Sequence, residues 1–247
     1  MSEKLPKVKK LFILPLMAVL LWSCSPSEQE LYDAGIKEMR LEKFNEAITY
    51  FDRVIEQNPD HTEAHNAKGV AFFEQGKWDE AIKHFKVAME KDSTSYKPYL
   101  NLGNAYLEKK AFKDAVINYN MASSLDPNQT DIYYNRGLAL LGMEAYEDAI
   151  LDFDNALQVD PNQALVHFNR AKALIGNNNP LEAINALKRS VAIDNTNGAA
   201  FYLLGVTEMS ALSEKEEGCM HLKTALGLGY ADAKEWIDEF CDTESES

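Results

Sequence analysis

Small and apolar residues recur along this chain at a fixed interval of 34 positions, separated by stretches rich in polar and charged side chains. The first column is glycine or alanine, the second is alanine twelve residues later, and the third is a large apolar residue four positions further on. A constant period in this range is typical of stacked repeats, in which each unit buries its apolar face against its neighbours. The three columns are Gly35, Gly69, Gly103, Gly137, Ala171 and Gly205; Ala47, Ala81, Ala115, Ala149 and Ala183; and Phe51, Phe85, Tyr119, Phe153 and Leu187.

Columns three or four residues apart share one face of a helix, so the small and large residues of each unit are expected to pack one helix against another. A polar break inside each unit separates its two helices. The breaks inside units fall at 75–77, 142–145 and 177–180, where Asn179 is expected to cap the next helix. Proline disfavours a helical residue before it, so Pro59, Pro127 and Pro161 mark the ends of units. The pattern predicts six helix pairs, at 29–58, 62–92, 96–125, 130–159, 164–193 and 198–227.

The third unit contains Tyr99-x2-Leu102-Gly103-x2-Tyr106, followed by Ala115-x3-Tyr119, Ala122 and Pro127. This order resembles the tetratricopeptide repeat (TPR) pattern of W-x2-L-G-x2-Y, A-x3-F and P. The resemblance covers roughly residues 28 to 227. It implies an all-α fold, a right-handed α-solenoid of six TPR helix pairs over 29–230. The first helix of each pair would line an inner groove.

The first 24 residues differ from the repeats, since four lysines precede a twelve-residue apolar run from Leu11 to Trp22. A basic start and a short apolar stretch predict a signal peptide over 1–23. The segment Leu21-Trp22-Ser23-Cys24 also resembles a bacterial lipobox. That resemblance implies a lipid (palmitate) on Cys24, a tether over 24–28 and an exported lipoprotein of the cell envelope, more specifically of the outer membrane. An ordinary cleaved signal and an uncleaved anchor remain the alternatives.

The chain end carries a further predicted helix over 231–241, with Ala233, Trp236, Ile237 and Phe240 on one face. We interpret it as a capping helix, because the last repeat of a solenoid has no neighbour to cover its apolar side. Residues 242–247 are acidic and lack apolar side chains, which predicts a disordered tail.

Two cysteines lie about eleven residues on either side of the turn at Gly229-Tyr230. In an antiparallel hairpin Cys219 and Cys241 would come level. A disulfide between them would contribute on the order of 3 kcal/mol. The alternative is a pair of buried free thiols.

Charge and motifs restrict the possible functions. The chain has 25 basic and 39 acidic residues and a net charge of −14, a surface that repels nucleic acid and anionic lipid. His61 and His65 are four residues apart, but His65 occupies a repeat column that packs between helices. No catalytic or phosphate-binding motif is present in the sequence. We therefore expect no enzyme, no cofactor, no metal, no small-molecule substrate and no nucleic-acid partner.

Candidate binding residues flank the glycine column of the first helices. Asparagine columns in other TPR proteins line the groove and bond the backbone of an extended peptide, and a carboxamide can both donate and accept. The alternative is that these side chains bond a neighbouring helix. The predicted partner-binding residues are Asn101, Asn135 and Asn169; Leu100, Tyr134, Phe168 and Tyr202; and Asn104 and Leu138.

These features predict a membrane-tethered adaptor that binds a peptide segment or folded partner in the inner groove. Lipoproteins of similar architecture among TPR proteins include pilus-assembly pilotins and parts of outer-membrane assembly machines. The alternative is a structural subunit of an envelope assembly or secretion complex, held by its convex face or its ends.

Overall fold

A computed structural model describes residues 26–212 and 215–241 of the chain. The predicted signal at 1–23, the lipidation residue Cys24 and the acidic tail at 242–247 lie outside the described residues. The helices are α1 (Glu28–Arg40), α2 (Phe44–Gln57), α3 (Thr62–Glu74), α4 (Trp78–Lys91), α5 (Tyr96–Glu108), α6 (Phe112–Leu125), α7 (Thr130–Gly142), α8 (Tyr146–Val159), α9 (Ala164–Gly176), α10 (Pro180–Ile193), α11 (Gly198–Leu212), α12 (Lys215–Gly227) and α13 (Ala233–Trp236). A π-helix over Ile237–Cys241 follows α13 directly.

The helices pack in chain order, each on the one before it, so the predicted α-solenoid of six helix pairs with a C-terminal cap is confirmed. We call the odd-numbered helices α1 to α11 the A helices and their even-numbered partners the B helices. Alternate A helices also touch, as α3 and α5 do, whereas alternate B helices among the described residues stand farther apart. The stack therefore curves with its A helices on the inside. The surface they form is called the inner face below.

A ring-to-glycine contact explains the period of 34. In each of the first four repeats, an aromatic ring of the B helix lies flat against the glycine of the A helix. A Cβ atom added at Gly137 would come within 2.7 Å of the Phe153 ring, closer than packed carbon atoms approach. In the fifth repeat Leu187 replaces the ring and Ala171 replaces the glycine, and both are fully buried. The two columns are thus complementary in volume within each repeat.

A tight turn joins each A helix to its B helix in the first five repeats. The amide of Lys43 donates to the carbonyl of Glu38, which is the bond expected when a left-handed residue ends a helix. Asn179 stands at the N-cap of α10 as predicted, but its side chain makes no capping bond and donates instead to the Glu182 carboxylate at 2.9 Å. The left-handed residues are Glu42, Gly76, Lys110, Glu144 and Asn178, with φ between 57° and 70°.

The cap closes the last repeat. Helix α13 begins at Ala233, two residues later than predicted, because the chain turns at Gly229 with φ 88° before it becomes helical. Ala233 and Ile237 are buried against α12. A disulfide joins Cys219 to Cys241 with their Cα atoms 5.7 Å apart, which pins the cap to α12. Within the described part of the chain, no helix is both long and apolar enough to cross a membrane.

Candidate partner-binding surface

The predicted asparagines lie on the inner face, where their amide groups bridge neighbouring A helices. Asn101 donates to Oδ1 of Asn66 at 3.0 Å, and Asn135 donates to Oδ1 of Asn104, also at 3.0 Å. The hydroxyl of Tyr119 donates to the same Asn104 oxygen at 2.8 Å. These bonds agree with the interpretation in which the carboxamides bond a neighbouring helix. One amide hydrogen of Asn101 and one of Asn135 therefore serve the scaffold by joining neighbouring A helices.

Asn169 is the most buried of the three, with 8% of its surface exposed. Its amide donates to the Tyr134 hydroxyl at 3.2 Å and to the Leu165 carbonyl at 3.0 Å. No donor among the described residues reaches its Oδ1, although a carboxamide oxygen can accept two hydrogen bonds. Asn169 thus offers an acceptor on a side chain whose orientation the scaffold already holds.

The predicted apolar column divides into two parts. Leu100, Tyr134 and Phe168 are partly buried on the inner face and pack beside the cores of their repeats. Tyr202 instead packs against Tyr230 in the turn before the cap, with ring centroids 4.8 Å apart and the rings tilted by 33°. The structure therefore brings the first three residues together along the groove and places Tyr202 at its capped end.

A cavity of about 640 Å³ opens in the inner face between α7, α9 and α11. Leu138 and Leu141 line it from α7, Ile175 from α9 and Leu203 from α11. The buried Asn169 lies at its edge. Two of the predicted site residues, Leu138 and Asn169, therefore meet in one apolar pocket, within the size range of ligand-binding pockets.

Two glycines, Gly142 and Gly176, form part of the pocket lining together with the aromatic rings packed on them. Gly142 is the last residue of α7, and Gly176 is the last residue of α9. Each lies against the aromatic residue that begins the B helix of the preceding repeat. A Cβ atom at Gly142 would come within 2.6 Å of the Phe112 ring, and one at Gly176 would overlap the Tyr146 ring. The two glycines and the two aromatic residues all line the pocket. In the first three repeats the glycine position holds the larger side chains Arg40, Glu74 and Glu108.

Sequence analysis missed this pair and assigned Gly142 only to a break between helices. The signal was present, because both glycines and both rings are 34 residues apart. The pairing of Gly142 with the ring of Phe112 across two repeats is a tertiary contact, however, and the period alone does not reveal it.

A second exposed surface lies on the outer, B-helix side. Ile117, Met121 and Leu125 are spaced four apart on α6 and form one exposed stripe. Leu151 and Val159 are exposed at the equivalent positions of α8, where Asn155 lies between them, and the exposed fraction reaches 60% at both Ile117 and Leu151. We call these five residues the outer stripe. Isolated exposed apolar residues are common, whereas contiguous ones mark interaction surfaces.

The histidines perform packing roles. His61 accepts a hydrogen bond from the Ala64 amide at the start of α3. The His84 ring stacks on Phe72, and burial lowers its pKa to about 4, with nearby Lys68 adding to the effect. His84 is therefore neutral at physiological pH. Across residues 26–212 and 215–241, no group of three or more potential metal ligands is assembled.

Comparison with protein families identifies the repeat. Two models described as "Tetratricopeptide repeat" match residues 32–96 and 130–163, and a third, described as "TPR repeat", matches 103–144. Together the matches span about half of the chain. This chain belongs to the tetratricopeptide repeat family. Proteins of this family are in general non-enzymatic scaffolds for protein interactions. No curated protein matches the chain in a sequence search.

Solved TPR structures share the fold. PilF of Pseudomonas aeruginosa superposes with a TM-score of 0.73 at 20% identity, over 86% of this chain and 97% of its own. YrrB, described as a TPR protein with an unusual peptide-binding site, gives 0.67 at 21% identity, over 76% and 97%. MamA gives 0.63 at 22% identity, over 70% and 94%. At these identities the likeness extends to the fold alone.

Proposed function

We propose that this protein is a non-catalytic adaptor that binds an extended segment of another protein along its inner face. The supporting observation is the cavity of about 640 Å³, which is lined by apolar residues of three A helices and by Asn169, whose oxygen accepts no hydrogen bond from the described residues. An extended segment presents apolar side chains and unpaired backbone N–H groups, which match this lining. YrrB, with a similar fold, is described as having a peptide-binding site.

We further propose that a lipid on Cys24 holds the adaptor at the bacterial outer membrane. The lysine-rich start, the apolar run before Cys24 and the following Ser25 support this part of the proposal. The first helix begins at Glu28, so the groove would lie close to the membrane surface. Expression with labelled palmitate should label the wild-type protein and leave a Cys24→Ala variant unlabelled. An unlabelled wild type would refute the lipid anchor.

The outer stripe favours a second candidate, a structural subunit that is held in an envelope complex by its convex face. Ile117 and Leu151 are the most exposed residues of the stripe, each at 60%. Burying such side chains against a partner is worth roughly 1.5–3 kcal/mol each. In this case the inner cavity would be incidental to function.

Site-specific photo-crosslinking in cells distinguishes the two candidates. A photoreactive phenylalanine analogue replaces Leu100 or Leu138 on the inner face, or Ile117 or Leu151 on the outer stripe. The adaptor predicts a discrete crosslinked partner from the inner positions and none from the outer ones. Crosslinks from the outer positions alone would refute the adaptor and support the structural subunit. Circular dichroism verifies equal helix content in all variants.

A further inference from the structure

The geometry points to a specific ligand for the inner cavity: a peptide segment in which a bulky apolar side chain stands next to an acidic residue. This inference rests on the proposed adaptor function and adds to it the chemical class of the bound segment. It follows from three features of the cavity, which are its apolar wall, the Asn169 oxygen and the lysine at its rim.

The apolar wall calls for a large side chain. Leu138, Leu141, Ile175 and Leu203 approach from three different helices, and the aromatic rings held over the glycines form part of the lining. A cavity of about 640 Å³ exceeds the volume that one small side chain would fill. The free energy of burial grows with the apolar area removed from water, so an aromatic or long aliphatic side chain gains the most here.

The oxygen of Asn169 positions the backbone beside that side chain. Because both amide hydrogens are already donated to Tyr134 and Leu165, the carboxamide cannot rotate to offer a donor without losing those bonds. The cavity edge is therefore an acceptor and selects a donor. The backbone N–H of a bound segment is the donor that every residue except proline provides.

Lys172 supplies the charge selection. Among the described residues that line the cavity it is the one cation, and it is exposed. Its Nζ lies 5.6 Å from the centre of the Phe168 ring, and no carboxylate among the described residues pairs with it. Glu144 is the anion of the lining and belongs to the turn after α7. An acidic ligand residue is therefore attracted to the α9 side and repelled from the α7 side, which also sets the direction of the segment.

A charge-swap experiment tests this inference. The purified protein is used to select binders from a random dodecapeptide library, and the enriched peptides are synthesised with a fluorescent label. Enriched peptides should share an aromatic or long aliphatic residue next to Asp or Glu. Replacing that apolar residue by alanine should weaken binding at least tenfold.

The variant Lys172→Glu should bind the enriched peptides about five- to tenfold more weakly than the wild type does. Peptides in which the acidic residue is replaced by lysine should recover their affinity for this variant. Lys86→Glu is the matched control, since it makes the same charge change at an exposed lysine of the outer helix α4, and it should change binding little.

Three outcomes are distinct. The swap and its rescue at Lys172 alone would support the inference. Peptides that bind but respond equally to Lys172→Glu and Lys86→Glu would overturn the inference and leave the adaptor function standing. A library that yields no binding peptide would contradict both.

Discussion

Gly137 and Phe153 provide a direct test of the volume rule that governs the repeat. In the fourth repeat, three carbon atoms of the Phe153 ring would lie 2.7, 3.0 and 3.1 Å from a Cβ added at Gly137. The fifth repeat shows the other solution, since Ala171 and Leu187 occupy the same two positions and both are fully buried. Substituting Gly137→Ala together with Phe153→Leu would therefore transplant the fifth-repeat pair into the fourth.

The expected magnitudes follow from the contacts. Gly137→Ala improves helix propensity by about 1 kcal/mol, but overpacking against the buried ring costs about 1–3 kcal/mol, so a net loss of up to about 2 kcal/mol is expected. Phe153→Leu alone leaves a cavity and should cost about 2 kcal/mol. In the double variant the new methyl group occupies space that the ring vacated. The pair should therefore couple favourably by about 1–3 kcal/mol, and the double variant should be no less stable than Phe153→Leu.

Urea unfolding of the four proteins, followed by circular dichroism, measures the coupling as a double-mutant cycle. The denaturant slopes must agree among the variants, because neighbouring repeats can uncouple in a solenoid. The reverse exchange, Ala171→Gly with Leu187→Phe, is the matched control and should couple with the same sign. Strictly additive losses in both cycles would refute the volume rule.

Other consequences concern the cap, the turns and the buried histidine. Replacing Cys219 by serine should lower the free energy of unfolding by about 3 kcal/mol, since its bond to Cys241 spans 22 residues; unchanged urea midpoints would argue against that bond. Lys110→Gly should raise the melting temperature, with a gain of about 1 kcal/mol, because Lys110 adopts φ 57° where the second repeat has Gly76; a lower melting temperature would contradict strain at this turn. The pKa of His84 is about 4 in the folded chain and 6.5 in the reference state, so unfolding takes up a proton between these values. The free energy of unfolding should therefore decrease as pH falls from about 6.5 to about 4, and His84→Gln should flatten that decrease in urea titrations; equal slopes would exclude His84 as the cause.

Sequence patterning predicted the helices closely because their determinants are local and periodic. The predicted second pair at 62–92 corresponds to α3 and α4, which run from Thr62 to Glu74 and from Trp78 to Lys91. The predicted helix after the last repeat began too early, because the chain there follows a single turn at Gly229 outside the period. Of the predicted site residues, Leu138 and Asn169 line one cavity, and their role in partner binding stays a prediction.

The sequence by itself determined the period of 34, and with it the helix pairs, the stacked fold and the family, because each repeat carries the same small and large residues at the same spacing. Only the tertiary structure decided which polar groups of the inner face are bonded to the scaffold and where a cavity lies. Whether the amide of Asn135 is free or donated to Asn104 depends on the distance between two A helices. Whether Gly142 and Gly176 can line a cavity depends on rings that reach them from another repeat. Such contacts join residues about 30 positions apart through the curvature of the stack, and no local pattern encodes that curvature.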